Sequence, residues 1–167
     1  MLSLEAFRRA RSVGLYLACP REVATDAIIA ACRSQGKTVC VPAMRKDEQR
    51  YAMSRWDEGV PLRNGAYGIR EPAEPAWVPT SSLDIVLVTA LAFDESGWRL
   101  GHGGGHFDRL LADHPGVRIC LAFECQKLTA VPCEAHDVPV HVVVTERAVY
   151  HAPPHLSYAD PDAWRHK

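Results

Sequence analysis

The sequence predicts an α/β protein with three layers, in which a mostly parallel sheet carries helices on both faces. Three observations support this fold class. Apolar runs of strand length alternate with helical segments along the chain, an order typical of βαβ units. The apolar runs are nearly continuous, as in strands that are covered on both faces. The length of 167 residues is the usual size of one domain with a sizeable core.

Five strands are predicted from the apolar runs at 13–18, 38–43, 84–90, 117–123 and 140–145. A helix is predicted between the first two strands, because Thr25 or Asp26 can cap its start and Gly36 can end it. This βαβ unit implies parallel strands with a right-handed crossover. The run at 84–90 lies in the longest apolar stretch and is predicted to be the central strand.

Two segments depart from this pattern. Residues 43–77 are polar and rich in turn residues, with one short strand candidate at 51–56. A long irregular segment in a compact domain is usually a functional loop or a disordered one, and we predict one of these here. Residues 151–167 show no core-forming periodicity, so we predict a single domain over residues 1–150 followed by a C-terminal tail.

The composition excludes several classes of protein. A net charge of −1 and a pI near 6.7 give no electrostatic basis for binding nucleic acid or an anionic membrane. No apolar run approaches the roughly 20 residues of a membrane span, and no leader pattern is present. The six cysteines form no C-x-x-C pair. We therefore predict reduced, mostly buried thiols in a cytoplasmic protein, and a monomer.

A glycine cluster carries the first functional signal. Four of the five residues from Gly101 to Gly105 are glycine, and the amphipathic run "HFDRLLADH" follows. Glycines let the backbone approach an anion, and a helix N-terminus beyond a strand is a favourable phosphate site. Arg99 and Arg109 flank the loop and can add charge-assisted bonds, whereas Asp108 can hold a Mg²⁺ that bridges nucleotide phosphates.

Other interpretations of this cluster stay open. Glycines alone also make a plain tight turn. His102 and His106 are four residues apart and could form a metal pair, although His102 stands among glycines rather than on a helix. The simplest alternative is that both histidines are exposed loop residues.

Several blocks together resemble one known family. The stretch "LAFDESGWRLGHGGGHFDRLLA" resembles the signature of the 5-formyltetrahydrofolate cyclo-ligases, also called methenyltetrahydrofolate synthetases, which reads approximately G-[LF]-x-F-D-x-x-G-x-R-[LI]-G-x-G-x-G-[YF]-Y-D-R. The blocks "YLACPREVATDAIIAACRSQGKTVCVPAM", "LRNGAYGIREP" and "AFECQKLTAVPCEAHDVPVHVVVTE" resemble other parts of the family in the same order. The resemblance spans about residues 7–150 and is far more specific than one glycine motif.

The resemblance implies an ATP- and Mg²⁺-dependent cyclisation of 5-formyltetrahydrofolate to 5,10-methenyltetrahydrofolate, with release of ADP and phosphate. Asp108 would then bind Mg²⁺ and Glu22 would bind the pterin of the folate. Arg99 and Arg109 are assigned as catalytic phosphate partners from their charge alone. The residues expected to contact ATP phosphates are Gly101, His102, Gly103, Gly104, Gly105, His106 and Phe107, and of these Gly104, His106 and Phe107 would also face the folate.

Some of these residues have a second interpretation. Glu22 can simply be a carboxylate that leads a helix and is favoured by its dipole. Tyr67 and Trp56 can be packing residues or loop anchors, although either could stack on the pterin.

Departures from the family pattern define a second functional hypothesis. The family's N-terminal helix, which carries a lysine and an arginine that meet ATP, is expected to be absent. His141 stands where the family usually has an aspartate metal ligand, and it is predicted to lie beside Asp108 as a weaker ligand, because Mg²⁺ prefers oxygen. The alternative is therefore a catalytically impaired member that acts as a folate- or nucleotide-binding protein.

Overall fold

The structure is a computed structural model that describes residues 1–153. Its three helices are α1 Glu5–Arg9, α2 Asp26–Ser34 and α3 His106–Leu111. Its strands are β1 Ser12–Gly14, β2 Thr38–Arg45, β3 Arg50–Arg55, β4 Leu62–Asn64, β5 Arg70–Pro72, β6 Ala76–Val78, β7 Ile85–Thr89, β8 Ala92–Phe93, β9 Arg99–Leu100, β10 Val117–Leu121, β11 Val142–Val144 and β12 Val149–His151. The predicted tail begins within β12, and residues 154–167 lie outside the described part.

Eight of these strands form one sheet in the order β12-β11-β10-β7-β1-β2-β3-β6. The five inner strands from β11 to β2 are parallel, whereas β12, β3 and β6 join antiparallel at the two sides. The mostly parallel sheet is confirmed. The position of β7 in the middle of the order confirms the central strand predicted at 84–90.

The two faces of β7 pack against separate clusters of apolar side chains. Ile85 and Leu87 lie in one cluster with residues of α1 and α2, whereas Val86 and Val88 lie in the other with residues of α3. Because successive strand side chains point to opposite faces, a continuous apolar run fills both clusters. Helices therefore cover both faces, as predicted, although the described part contains only three short α-helices.

The helix predicted after β1 is α2, but its start differs in detail from the prediction. Thr25 occupies the N-cap position without capping the helix by its side chain. Its hydroxyl instead donates a 2.8 Å hydrogen bond to the carbonyl oxygen of Tyr16, which anchors the loop after β1. Gly36 follows the helix with a φ of +67°, a conformation that favours glycine and ends the helix as predicted.

The prediction of an irregular or disordered segment at 43–77 is wrong. The segment folds as the end of β2 followed by β3, a β4–β5 hairpin and β6, and the strand candidate at 51–56 lies largely in β3. Glu71 is almost fully buried and holds the small hairpin to the sheet. Its carboxylate accepts a 2.8 Å bond from the Met44 N–H and pairs with Arg63 at 2.8 Å.

All six cysteines are free thiols, which agrees with the prediction. Only Cys32, Cys40 and Cys120 are buried, however, and Cys125 and Cys133 are exposed, so the expectation that most are buried is not met. In the described part of the chain, no helix has the length and apolar character needed to cross a membrane.

Candidate functional site

The candidate site lies at the edge of the sheet where the central parallel strands end. The β2–β3 turn reaches this edge, with Met44 opposite Tyr51, and α3 begins there against β3. The His106 ring, at the start of α3, contacts Tyr51 edge-on with centroids 5.1 Å apart and Tyr67 at 5.8 Å. The structure thus joins the glycine loop to an aromatic surface built by the segment at 43–77.

The glycine loop is exposed and uses left-handed backbone at two positions. Gly103 has a φ of +81° and Gly105, the N-cap of α3, a φ of +58°. A Cβ at Gly101 or Gly103 would meet no atom within 4 Å, so space for an approaching ligand surrounds these residues. Among residues 1–153, no three His, Cys, Asp or Glu side chains are grouped closely enough to hold a metal, which gives no support to a metal pair at His102 and His106.

Arg109 fixes the orientation of His106. Its guanidinium donates to the Gly104 carbonyl oxygen at 2.7 Å and lies 3.0 Å from His106 Nδ1. Because a guanidinium only donates, Nδ1 must accept, and the proton of the neutral ring is on Nε2. Burial and the Arg109 charge both lower the pKa of His106, which keeps the ring neutral near pH 7. His106 therefore presents an Nε2–H donor beside the loop.

We expect Gly104→Val to weaken phosphate or nucleotide binding much more than it lowers the melting temperature. A Cβ at Gly104 would lie 2.8 Å from His106 Nε2, and Gly104 needs no left-handed backbone, so the main effect is displacement of the imidazole. Gly36→Ala is the control, because it strains a left-handed backbone in open space outside the loop, and it should leave binding unchanged. Isothermal titration with ATP and thermal melting distinguish the two, and equal losses of binding and stability in Gly104→Val would contradict this role.

Arg99 is buried, with a side chain only 4% exposed, and it connects three segments. Its guanidinium donates to Asp108 Oδ1 at 2.8 Å and to the Val138 carbonyl oxygen. The Val138 N–H donates to the same Asp108 oxygen at 3.1 Å. In this structure both predicted catalytic arginines bond to protein acceptors, so they position Asp108 and His106. Asp108 Oδ2 has no hydrogen bond within the described part and is the oxygen available to a cation.

Glu22 lies in the loop after β1, where it also stabilises the local backbone. Its Oε2 accepts a 2.7 Å bond from the Cys19 N–H, and its own N–H donates to the Cys19 carbonyl oxygen. Burial, together with the nearby Glu22 charge, raises the pKa of the Cys19 thiol. Within the described part, Glu22 Oε1 has no hydrogen bond, so one carboxylate oxygen is available to a ligand.

Tyr67 and Trp56, the two residues considered for stacking on the pterin, differ in their exposure and contacts. Tyr67 is 80% exposed, has a φ of +57° and lies beside His106, so it offers a ring face to a ligand. Trp56 donates its indole N–H to the Val60 carbonyl oxygen at 3.0 Å and stacks on the Arg33 guanidinium at 4.4 Å. These contacts make Trp56 a packing residue.

His141 lies at the amino end of β11, away from the edge where the parallel strands end. The Arg118 N–H donates to His141 Nδ1 at 3.0 Å, and the Arg118 guanidinium lies 3.3 Å from Nε2. Neither ring nitrogen presents a lone pair to a cation, since one accepts a bond and the other faces a positive charge. The structure therefore does not bring His141 beside Asp108 as a metal ligand, and we do not retain it in the site.

We expect His141→Asn to make the protein less sensitive to acid. Burial, Arg118 and His114 lower the pKa of His141 to about 3, against an ordinary value of 6.5. As the pH falls below 6.5, His141 is protonated in the unfolded chain but stays neutral in the folded chain. The free energy of unfolding therefore decreases. Asparagine keeps an acceptor for the Arg118 N–H without titrating. Urea unfolding at pH 7 and pH 4.5 measures the effect, with exposed His136→Asn as the control, and an unchanged pH dependence would contradict it.

Tyr51 is the site residue that sequence reasoning missed. It is 6% exposed, and burial together with Glu71 and Tyr67 raises its pKa to about 12. Its phenol donates to the Ala66 carbonyl oxygen at 3.3 Å, which connects the main sheet to the turn that carries Tyr67. The sequence signal was its position at the start of the strand candidate at 51–56, which predicted a strand but gave no indication of a site.

The chain is similar to known proteins of one family. The family model described as "5-formyltetrahydrofolate cyclo-ligase family" matches residues 1–146. The 5-formyltetrahydrofolate cyclo-ligases of Haemophilus influenzae and Mycolicibacterium smegmatis are each 32% identical to the chain, over 83% of it and 78% and 76% of their own lengths. The 5,10-methenyltetrahydrofolate synthetase of Aquifex aeolicus superposes with a TM-score of 0.80 at 30% identity, covering 97% of this chain and 82% of that one.

A more distant structure shares the fold. The 5,10-methenyltetrahydrofolate synthetase of Mycoplasma pneumoniae gives a TM-score of 0.65 at 17% identity, over 84% of this chain and 76% of its own. The family match over most of the chain, together with relatives above 30% identity, confirms the resemblance found in the sequence. The chain belongs to the 5-formyltetrahydrofolate cyclo-ligase family.

Proposed function

We propose that the protein converts 5-formyltetrahydrofolate and ATP into 5,10-methenyltetrahydrofolate, ADP and phosphate. The observation that carries this proposal is the position of the exposed glycine loop against the Tyr51, Tyr67 and His106 surface, in a chain of this family. A formyl oxygen is a poor leaving group, and ATP supplies the phosphoryl group that makes it a good one. N10 of the folate then attacks the formyl carbon, and phosphate leaves.

The aromatic surface and Glu22 suit the pterin end of the folate. The exposed face of Tyr67 provides a surface on which a flat ring can stack. A pterin offers amino and ring N–H donors, and the available oxygen of Glu22 can accept from them as a charge-assisted bond. Cys19 holds the other oxygen, so the carboxylate is oriented before the ligand binds.

The loop and α3 suit the phosphates. Backbone N–H groups and the His106 Nε2–H can donate hydrogen bonds to phosphate oxygens from positions that are fixed before the ligand binds. Arg109 holds His106 in the tautomer that donates through Nε2. Phosphoryl transfer depends mostly on positioning and charge stabilisation. We therefore assign Arg99 and Arg109 to positioning Asp108 and His106, and Gly101 to Phe107 to the contacts with ATP and, in part, with folate.

The residues present fit a magnesium ion that nucleotide phosphates help to hold. Mg²⁺ is commonly bound by one or two carboxylates together with substrate phosphates and water. Asp108 would provide the protein ligand through Oδ2, while Arg99 and Val138 orient the carboxylate through Oδ1. When bound, the ion would neutralise phosphate charge. The free thiols support a reducing compartment such as the cytoplasm, and we propose a monomer there.

A direct assay tests the proposal. The purified chain is mixed with 5-formyltetrahydrofolate, Mg²⁺ and ATP, and the methenyl chromophore and ADP are followed together. We expect equal amounts of both products. In Glu22→Gln we expect the KM for folate to rise roughly 10-fold, as for loss of a charge-assisted bond, with exposed Glu58→Gln as the control. Binding of both substrates without turnover would overturn the enzyme and support the alternative of a folate- or nucleotide-binding protein.

A further inference from the structure

A groove of about 430 Å³ lies beside the candidate site, and most of its lining residues have no role in the function proposed above. Its walls are the β2–β3 turn, the edge strand β6 and α3. Arg45, Arg50, Arg109 and Trp77 line it, with Asp113 as the acidic residue among the described lining residues. The groove is therefore polar and predominantly cationic, with one large aromatic face.

Two of these arginines are held in place before any ligand binds. The Arg45 guanidinium stacks on the Trp77 ring at 4.5 Å from its centroid. Arg45 also donates to Glu48 Oε1 at 2.9 Å, and Arg50 donates to Glu48 Oε2. Glu48 thus fixes two guanidinium groups next to each other and compensates only one of the two charges. A guanidinium pair of this kind favours carboxylates, which it can bind through two parallel hydrogen bonds.

The groove is continuous with the surface that we assign to the pterin. Tyr51 lines the groove and also meets the edge of His106. Arg109 lines it as well and bonds to the same imidazole. A ligand with its flat ring on Tyr67 can therefore extend past Tyr51 toward Arg45 and Arg50 without leaving the protein surface.

We propose that this groove binds the glutamate end of the folate, with its carboxylates on Arg45 and Arg50. The inference rests on the proposed function, because it takes a reduced folate as the substrate. A folate carries a pterin at one end and a carboxylate-bearing glutamate at the other, joined by an aromatic ring. The site described above accounts for the pterin, and the groove supplies the positive charge for the opposite end.

The test compares 5-formyltetrahydrofolate with the primary amide of 5-formyltetrahydropteroate, called the pteroate below, which keeps the amide and lacks both glutamate carboxylates. In the double variant Arg45→Gln, Arg50→Gln we expect folate binding to weaken roughly 10- to 100-fold, as for the loss of charge-assisted bonds. Pteroate binding should stay within about twofold. The control is Arg55→Gln, since Arg55 is exposed on the same strand and pairs with Asp57 outside the groove; it should change neither ligand.

The outcomes separate this inference from the proposed function. The inference is overturned, while the proposed function stands, if the unmodified protein binds both ligands equally or if the double variant loses affinity for both equally. Either result would show that the groove does not bind the glutamate. If the double variant instead weakens ATP binding, the groove belongs to the nucleotide and the inference is also overturned. If the unmodified protein binds neither ligand, both proposals fail.

Discussion

Replacement of Asp108 by asparagine is expected to lower the free energy of unfolding by about 3 kcal/mol, because it leaves the buried Arg99 charge uncompensated. Asparagine has the same size and keeps a carbonyl acceptor for Val138, so packing changes little. The same substitution removes the negative charge that we assign to the metal–nucleotide complex. We therefore expect cyclisation to slow at least roughly 100-fold.

Stability and activity are separated by two measurements. Urea unfolding gives the stability loss, and the methenyl assay below the unfolding transition gives the rate. Asp26→Asn is the matched control, since Asp26 is an exposed aspartate in the first turn of α2, as Asp108 is in the first turn of α3, and it should leave both nearly unchanged. A stable Asp108→Asn protein with full activity would refute both the buried ion pair and the metal role.

Gly97→Ala is expected to prevent stable folding. Gly97 has a φ of +86°, and a Cβ there would lie 2.3 Å from the Val140 carbonyl oxygen. The two segments are also joined by a 2.9 Å bond from the Val140 N–H to the Gly97 carbonyl oxygen. The clash is with backbone and not with a side chain that can rotate, so β8–β9 and the segment before β11 would have to separate. We expect a loss of about 4 kcal/mol or more, in the range of severe core substitutions.

Gly59→Ala isolates the conformational part of this effect. Gly59 has nearly the same φ, +84°, but a Cβ there would meet nothing within 4 Å. Its cost should therefore be only the left-handed strain of about 1 kcal/mol. Urea unfolding of both variants gives the comparison. Equal losses would show that strain and not the contact with Val140 makes Gly97 necessary.

The buried strands were predictable because their signal is local. Residues 38–43, 84–90 and 117–123 are nearly continuous apolar runs, and each contains or overlaps an observed inner strand. The first predicted strand extends past the observed one, Ser12–Gly14, because Leu15 to Leu17 stay buried without continuing the regular ladder. The antiparallel strand β3 was predicted only as a short candidate at 51–56, and β6 was missed, because both strands are half polar. The partner of β6 is β3, on the far side of the β4–β5 hairpin in the sequence.

The residues of the candidate site likewise fall into those that local sequence patterns predict and those that depend on distant partners. The glycine loop and Asp108 could be proposed from short spacings in the sequence, whereas Glu22 was proposed only from the family resemblance. The partners of Arg99 and His141 could not be found in this way. A charged side chain beside a phosphate motif predicts a phosphate contact, but Arg99 is buried against Asp108 and Val138. His141 was placed by the family's pattern, and only the register of β11 beside β10 shows that it meets Arg118.

Both sides of the main sheet end in strands of only three residues in the described part, β6 and β12. Pro75 and Pro79 flank β6, and Pro153 follows β12 closely; proline cannot donate a backbone hydrogen bond to an added strand. A long unpaired strand is a template on which further chains can assemble into aggregates. Because each edge here offers only a few ladder positions before proline interrupts it, the fold protects its apolar parallel strands against edge-to-edge aggregation.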